Sequence, residues 1–165
     1  MPTRSVIARP TPTGWEGRYC HHHGHPAHLG RVLFDAVNGH FAGDVDAAHR
    51  YLIDDHPAGW SYLGGDFTKP TGFARRIDRF ADGRNQCYCH GDRDDPAAPL
   101  IGQQRAAEFA HYGYVLSHEQ LTVLVYRDGR RLEPGADVGW SAQPDWDDLD
   151  DRLRQQNQQL PLRLG

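Results

Sequence analysis

Apolar and polar positions along the chain recur with two periods, and these divide it into strands and helices. "TRSVIAR" (Thr3 to Arg9) has the β-branched content of a strand, "PTPTG" turns the chain, and "WEGRYCHH" (Trp15 to His22) reads as the antiparallel return. "GHP" breaks that strand. From Ala27 the period becomes helical, with Leu29, Val32, Leu33, Ala36 and Val37 at i, i+3, i+4, i+7 and i+8 and Asn38-Gly39 as the stop. Asp44 is placed to cap a second helix over "VDAAHRYLI", with Val45, Ala48 and Leu52 on one face. The turn-rich, aromatic stretch from His56 to Phe73 predicts an ordered loop in which Trp60, Tyr62, Phe67 and Phe73 cover the edge of the core.

The second half follows the same logic. "GRNQCYCHGDRDDPAAP" (Gly83 to Pro99) begins as a short strand and ends as an acidic loop, and "QQRAAEFAHYG" reads as a short helix. "YGYVLS" and "LTVLVYR" are the strongest strand signals, and Asp128-Gly129 after the latter suits a type I′ hairpin turn. "PDWDDLDDRLRQQNQQL" predicts a helix that is acidic at its start and basic later, as the helix dipole favours. Its apolar stripe of Trp146, Leu149, Leu153 and Leu160 is thin, which predicts packing on the surface or against a partner. The elements add up to an α+β fold: a mostly antiparallel sheet of about five or six strands with about three or four helices. A length of 165 residues, without an internal repeat or a long linker, predicts a single domain over 1–165.

Composition narrows the function classes. The net charge of −4 gives no general attraction to nucleic acid or to an anionic membrane. Of the 18 basic residues only Lys69 is a lysine. The arginines are scattered, as GC-rich coding would leave them, rather than gathered into an oxyanion site. No apolar run approaches the length of a membrane span, and "MPTRSVIARPTPTG" lacks the apolar centre of an export signal. Three cysteines, an odd count without an export signal, favour free thiols or metal ligation over a disulfide framework, and a cytoplasmic location.

The distinctive chemistry lies in two segments, "RYCHHHGHPAH" (Arg18 to His28) and "CYCH" (Cys87 to His90). The first is internal and interrupted by Gly24 and Pro26, unlike a purification tag. Side chains alternate along a strand, so Cys20 and His22 would share one face, and Cys87 and Cys89 another. If the two strands pair, Cys20, Cys87 and Cys89 with His22 or His90 could make a tetrahedral zinc site, since thiolate and imidazole suit zinc rather than calcium or magnesium. The spacing is imperfect, because "CYC" has one intervening residue and the first segment one cysteine. Buried thiols with surface histidines that bind nothing specific remain the alternative. A third reading makes Cys20 a nucleophile with a histidine as base. His21, adjacent in a strand, faces the wrong way, so the base would come from His90, His111 or His118.

The opening also resembles a family of small uncharacterised phage and bacterial proteins with an "RS-x-I" strand, a "Y-C-H-W-D-G-Y-P" segment and a helix beginning near a glycine. Arg4, Ser5, Ile7, Tyr19, Cys20, His21, Gly24, Pro26 and Gly30 fit that pattern. His22, His23 and His25 depart from it, standing where the pattern has Trp, Asp and Tyr. The resemblance covers roughly the first 55 residues. It implies a fold, a phage or mobile-element provenance and an emphasis on Cys20 and His21; it implies no reaction.

These features predict a non-enzymatic accessory protein that binds a host component or a nucleotide-like ligand and carries a zinc site drawn from Cys20, His21 or His22, Cys87, Cys89 and His90. The strand-to-helix junction is the expected pocket for a small anionic ligand, because a helix start offers unpaired N–H groups. Cys20 and His21 would form its floor and Tyr19 and Trp60 its walls, with His22, His23, His25 and His28 peripheral. The alternatives are a hydrolase or transferase built around Cys20 and a histidine, and a nucleic-acid binder using Arg75, Arg76 and Arg79. The carboxylates of "DRDDP" (Asp92 to Pro96) and "DWDDLDD" read as solvated turns and a helix start.

Overall fold

A computed structural model describes residues 2–75, 80–127 and 131–158. The expected opening hairpin is present: β1 (Ser5–Thr11) runs antiparallel to β2 (Gly14–Cys20), in register from Ser5↔Cys20 to Thr11↔Gly14. The chain then enters a π-helical turn, Pro26–Gly30, which continues as α1 (Arg31–Asn38). Proline suits the first position because its missing N–H would have no partner there. Asp44 caps α2 (Val45–His49) by accepting the Ala47 N–H at 3.0 Å, and a second π-helical turn, Arg50–Asp54, extends it.

The stretch read as an aromatic loop contains a strand, β3 (Trp60–Tyr62), all three residues of which are buried. Three buried residues have no alternation to show, so the pattern was invisible in sequence. β3 pairs in parallel with β2 through Cys20↔Trp60 and antiparallel with β4 (Gln86–Cys87) through Trp60↔Cys87. A one-turn helix, α3 (Gln103–Ala106), precedes β5 (Tyr112–Leu116), β6 (Gln120–Arg127) and β7 (Arg131–Gly139), and α4 (Trp146–Gln158) follows. The class is therefore α+β, with four α-helices among the described residues, but the sheet those residues form has seven strands rather than five or six, in the order β4-β3-β2-β1-β5-β6-β7. It is mixed, because β1–β5 and β2–β3 are parallel while the other four pairs are antiparallel. The Asp128-Gly129 turn and Leu160 lie outside the described residues.

Alternation along β1 sends Ile7 to one face and Val6 and Ala8 to the other. The first face carries the main core, with Leu29, Leu33, Val37, Leu52, Ile53 and Trp60. The second carries a smaller cluster around Ala106, Ala110 and Leu132. Helix α4 is a core element rather than a surface one: Trp146, Leu149 and Leu153 are all buried in the main cluster. Its thin stripe of three apolar residues suffices because Trp146 lies directly against Gly30 of the π-helical turn, where a side chain would not fit.

Candidate metal centre

Four side chains converge at the β3–β4 edge of the sheet. His56, Cys87, Cys89 and His90 each offer a ligand atom, and these atoms all lie within 4.8 Å of one another. Register places them. Trp60 opposite Cys87 brings the residues just before β3 beside those just after β4. The amide of Tyr88 continues the ladder by donating to Gly59 at 3.1 Å. Beyond Tyr88 the chain reverses through Gly91, which holds φ at +76°, and a Cβ there would stand 2.3 Å from the Phe73 carbonyl oxygen. That close approach lets Phe73 donate to His90 O and Asp92 donate to Phe73 O, and it turns His90 back toward Cys87. Arg93 spans the outside of the reversal, its guanidinium 4.6 Å from the Tyr88 ring centroid and paired with Asp95.

The geometry suits a tetrahedral cation. Cys87 Sγ is 3.3 Å from His90 Nδ1, and Cys89 Sγ is 3.8 Å from His56 Nδ1. Metal–sulfur and metal–nitrogen bonds of about 2.3 and 2.1 Å at tetrahedral angles put sulfur and nitrogen roughly 3.5 Å apart. Burial grades across the site, with His56 and Cys87 buried, Cys89 intermediate and His90 exposed. Burial, with the neighbouring His90, pushes the His56 imidazole down to about 4, so it is the neutral ring a metal requires at neutral pH. Burial and the neighbouring Cys89 push the Cys87 thiol up to about 11. Two thiolates side by side at this depth need a cation between them, and a bound cation would supply that charge. The donor set therefore fits a metal ion, and with four protein ligands it fits a closed, structural site rather than one with a position open to substrate.

Of the residues singled out in sequence, the structure gathers Cys87, Cys89 and His90 and leaves Cys20 and His22 outside that group. Cys20, Trp60 and Cys87 stand in one row across three strands, so Cys20 is separated from Cys87 by the Trp60 strand, roughly 9 to 10 Å of sheet. The fourth member of the group is His56, which stands 31 positions before Cys87 at the head of the stretch read as an aromatic loop. Its Cys/His character was visible, but the register that brings it to β4 was not.

The strand-to-helix junction differs from expectation in three ways. Cys20 and Trp60 are fully buried rather than exposed to a ligand. The Trp60 indole instead donates to Leu52 O at 2.9 Å. Tyr19 and His21 bond each other through the phenol and Nδ1, and His21 is half-buried, as His22, His25 and His28 are. Strand alternation stops predicting orientation here because β2 ends at Cys20. Finally, the N–H groups at the helix start do not await a ligand: Ala27 N–H donates to Asp150 Oδ2 at 2.7 Å. Arg75 N–H donates to Asp92, whereas Arg76 and Arg79 lie outside the described residues.

Burial pushes the Cys20 thiol up to about 12, so it stays protonated at neutral pH. Iodoacetamide should accordingly leave Cys20 unmodified in the folded protein and label it only in denaturant, as peptide mapping would show. Fast labelling of native Cys20 would restore it as a nucleophile.

Comparison of the chain with protein-family models, with curated proteins and with solved structures found no match to any of them. Among the described residues no helix is long and apolar enough to cross a membrane.

Proposed function

We propose that this chain is a zinc-stabilised accessory protein that acts by binding rather than by turning a substrate over. The observation that carries the reading is the convergence of His56, Cys87, Cys89 and His90 on one point. Zinc is the metal because two thiolates and two imidazoles at tetrahedral spacing match its preferences and offer nothing to a hard cation. The ion acts as a staple. It ties the segment before β3 to the loop after β4, at a sheet edge where β4 is only two residues long. What is bound is a host component or a nucleotide-like ligand, in keeping with the phage or mobile-element provenance that the opening residues suggest. The cytoplasm suits three unpaired cysteines.

Metal analysis of untagged protein, purified without nickel chromatography, tests the zinc. About one zinc per chain is expected, absent in Cys87→Ala and retained in Cys20→Ser. Cobalt substitution should give a thiolate-to-metal charge-transfer band. A metal-free wild type that takes up no zinc or cobalt at neutral pH would refute the reading.

A further inference from the structure

The histidine-rich turn between β2 and the helix forms a second feature, sharing no residue with the metal centre. Pro2, Thr3, His22, His23, His25 and Arg154 line a cleft of about 440 Å³. That volume lies within the range of small-molecule sites. Among the described residues its polar lining consists of a hydroxyl, three imidazoles and a guanidinium, all able to donate, with no carboxylate.

Two structural details set these donors in place. Among the described residues Arg154 is held through one nitrogen, its Nε donating to Asp150 Oδ1 at 2.6 Å, which leaves both terminal nitrogens to the cleft. Asp150 is itself buried beneath the cleft with both oxygens engaged, so its charge is matched before any ligand arrives. His23 is held at φ +54°, a left-handed conformation that side-chain-bearing residues seldom adopt and that clusters at ligand sites. The turn cannot relax easily. Gly24 N–H donates to Thr3 O at 2.9 Å, and a Cβ on Gly24 would stand 2.6 Å from that oxygen. The His23 ring is backed by Phe80 and Tyr62, at centroid distances of 4.9 and 5.5 Å.

Ring spacing decides what the cleft can hold. The His22–His23 and His23–His25 centroids are 6.5 and 6.1 Å apart. A metal about 2.1 Å from each ring nitrogen would draw the centroids to roughly 5 Å. Among the described residues, three or more ligand atoms gather closely enough for a metal at the His56 set and not at this turn. A tetrahedral oxyanion is larger: at ordinary hydrogen-bond lengths its donors stand roughly 4 Å from the central atom, so rings spaced as these are can both reach it. A guanidinium with two terminal nitrogens to offer adds the bidentate partner that such groups favour.

We propose that this cleft binds the phosphoryl group of a small phosphate monoester, held by Arg154, His23 and His25 with Thr3 at its rim. The proposal deepens the ligand-binding half of the function above and is independent of the zinc half.

Calorimetric titration of the zinc-loaded full chain with inorganic phosphate and with adenosine monophosphate tests it, with chloride as the control anion. Saturable binding of both phosphates is expected, together with movement of the His23 and His25 ring resonances. Arg154→Gln should weaken it at least tenfold, and Arg152→Gln, exposed on the same helix, should leave it unchanged. Should Arg154→Gln fail to fold, His23→Ala provides the same reading, since removing an exposed ring from a strained turn spares the core. Absence of phosphate binding in protein with full zinc content overturns the cleft alone. Phosphate binding by protein that takes up no zinc overturns the zinc reading alone. Binding indifferent to both Arg154→Gln and His23→Ala, or uptake of a second zinc that His23→Ala abolishes, also overturns the proposal.

Discussion

Stripping zinc from the loaded protein is expected to lower its thermal midpoint by about 10 °C. A ligand present at roughly a thousandfold its dissociation constant stabilises the folded state by about 4 kcal/mol. For a chain of this size each kcal/mol moves the midpoint by about 2–4 °C. The loss should be concentrated at one edge of the sheet. Without the ion, β4 is held by two residues of ladder and by the Tyr88 amide bond to Gly59. The following loop is held by Asp95 N–H to Tyr88 O and Ala98 N–H to Pro57 O. Hydrogen exchange at Tyr88, Asp95 and Ala98 should therefore accelerate on chelation, while β5 and β6 amides keep their protection. Cys89→Ser should reproduce both effects, and Cys20→Ser should not reproduce the exchange pattern. An unchanged midpoint after the metal is verifiably gone would show that the ion staples nothing.

The sequence was legible where a single segment carried its own signal. The hairpin of β1 and β2, the Asp44 cap and the strong strands β5 and β6 all follow from local period and turn chemistry. What it hid were relations between distant segments. The parallel β1–β5 and β2–β3 pairings arise from crossovers, and no period in either strand announces its partner. The metal centre divides along the same line. Cys87, Cys89 and His90 lie within four residues and stood out together, whereas His56 joins them only through the Trp60↔Cys87 register. Counting thiols favoured Cys20 as the remaining ligand. The sheet places it on the correct face but two strands away, where it serves as a small core residue.

Asp150→Ala is expected to cost about 2–3 kcal/mol, although Asp150 belongs to an acidic run that reads as a solvated helix start. Its neighbours Asp147, Asp148 and Asp151 do face solvent. Asp150 falls on the inner face with Leu149 and Leu153, and only 3% of it is exposed. Its carboxylate takes the Ala27 N–H that the first helical turn would otherwise leave without a partner, and takes Arg154 Nε with its other oxygen. Alanine would strand a half-buried backbone donor and remove a charge-assisted bond, each worth about 1–3 kcal/mol. The two do not sum fully, because Arg154 has half its side chain in solvent and can rehydrate. Asp150→Asn should cost less than alanine, since an amide oxygen can still accept from Ala27 while the ionic bond to Arg154 is lost. Asp151→Ala should shift stability by no more than about 0.5 kcal/mol. Urea unfolding of the three variants measures this directly. Equal losses at Asp150 and Asp151 would mean that the helix start responds to charge in general. A loss confined to Asp150 would mean that one buried carboxylate docks α4 onto the histidine-rich turn, and that the orientation of Arg154 over its cleft depends on it.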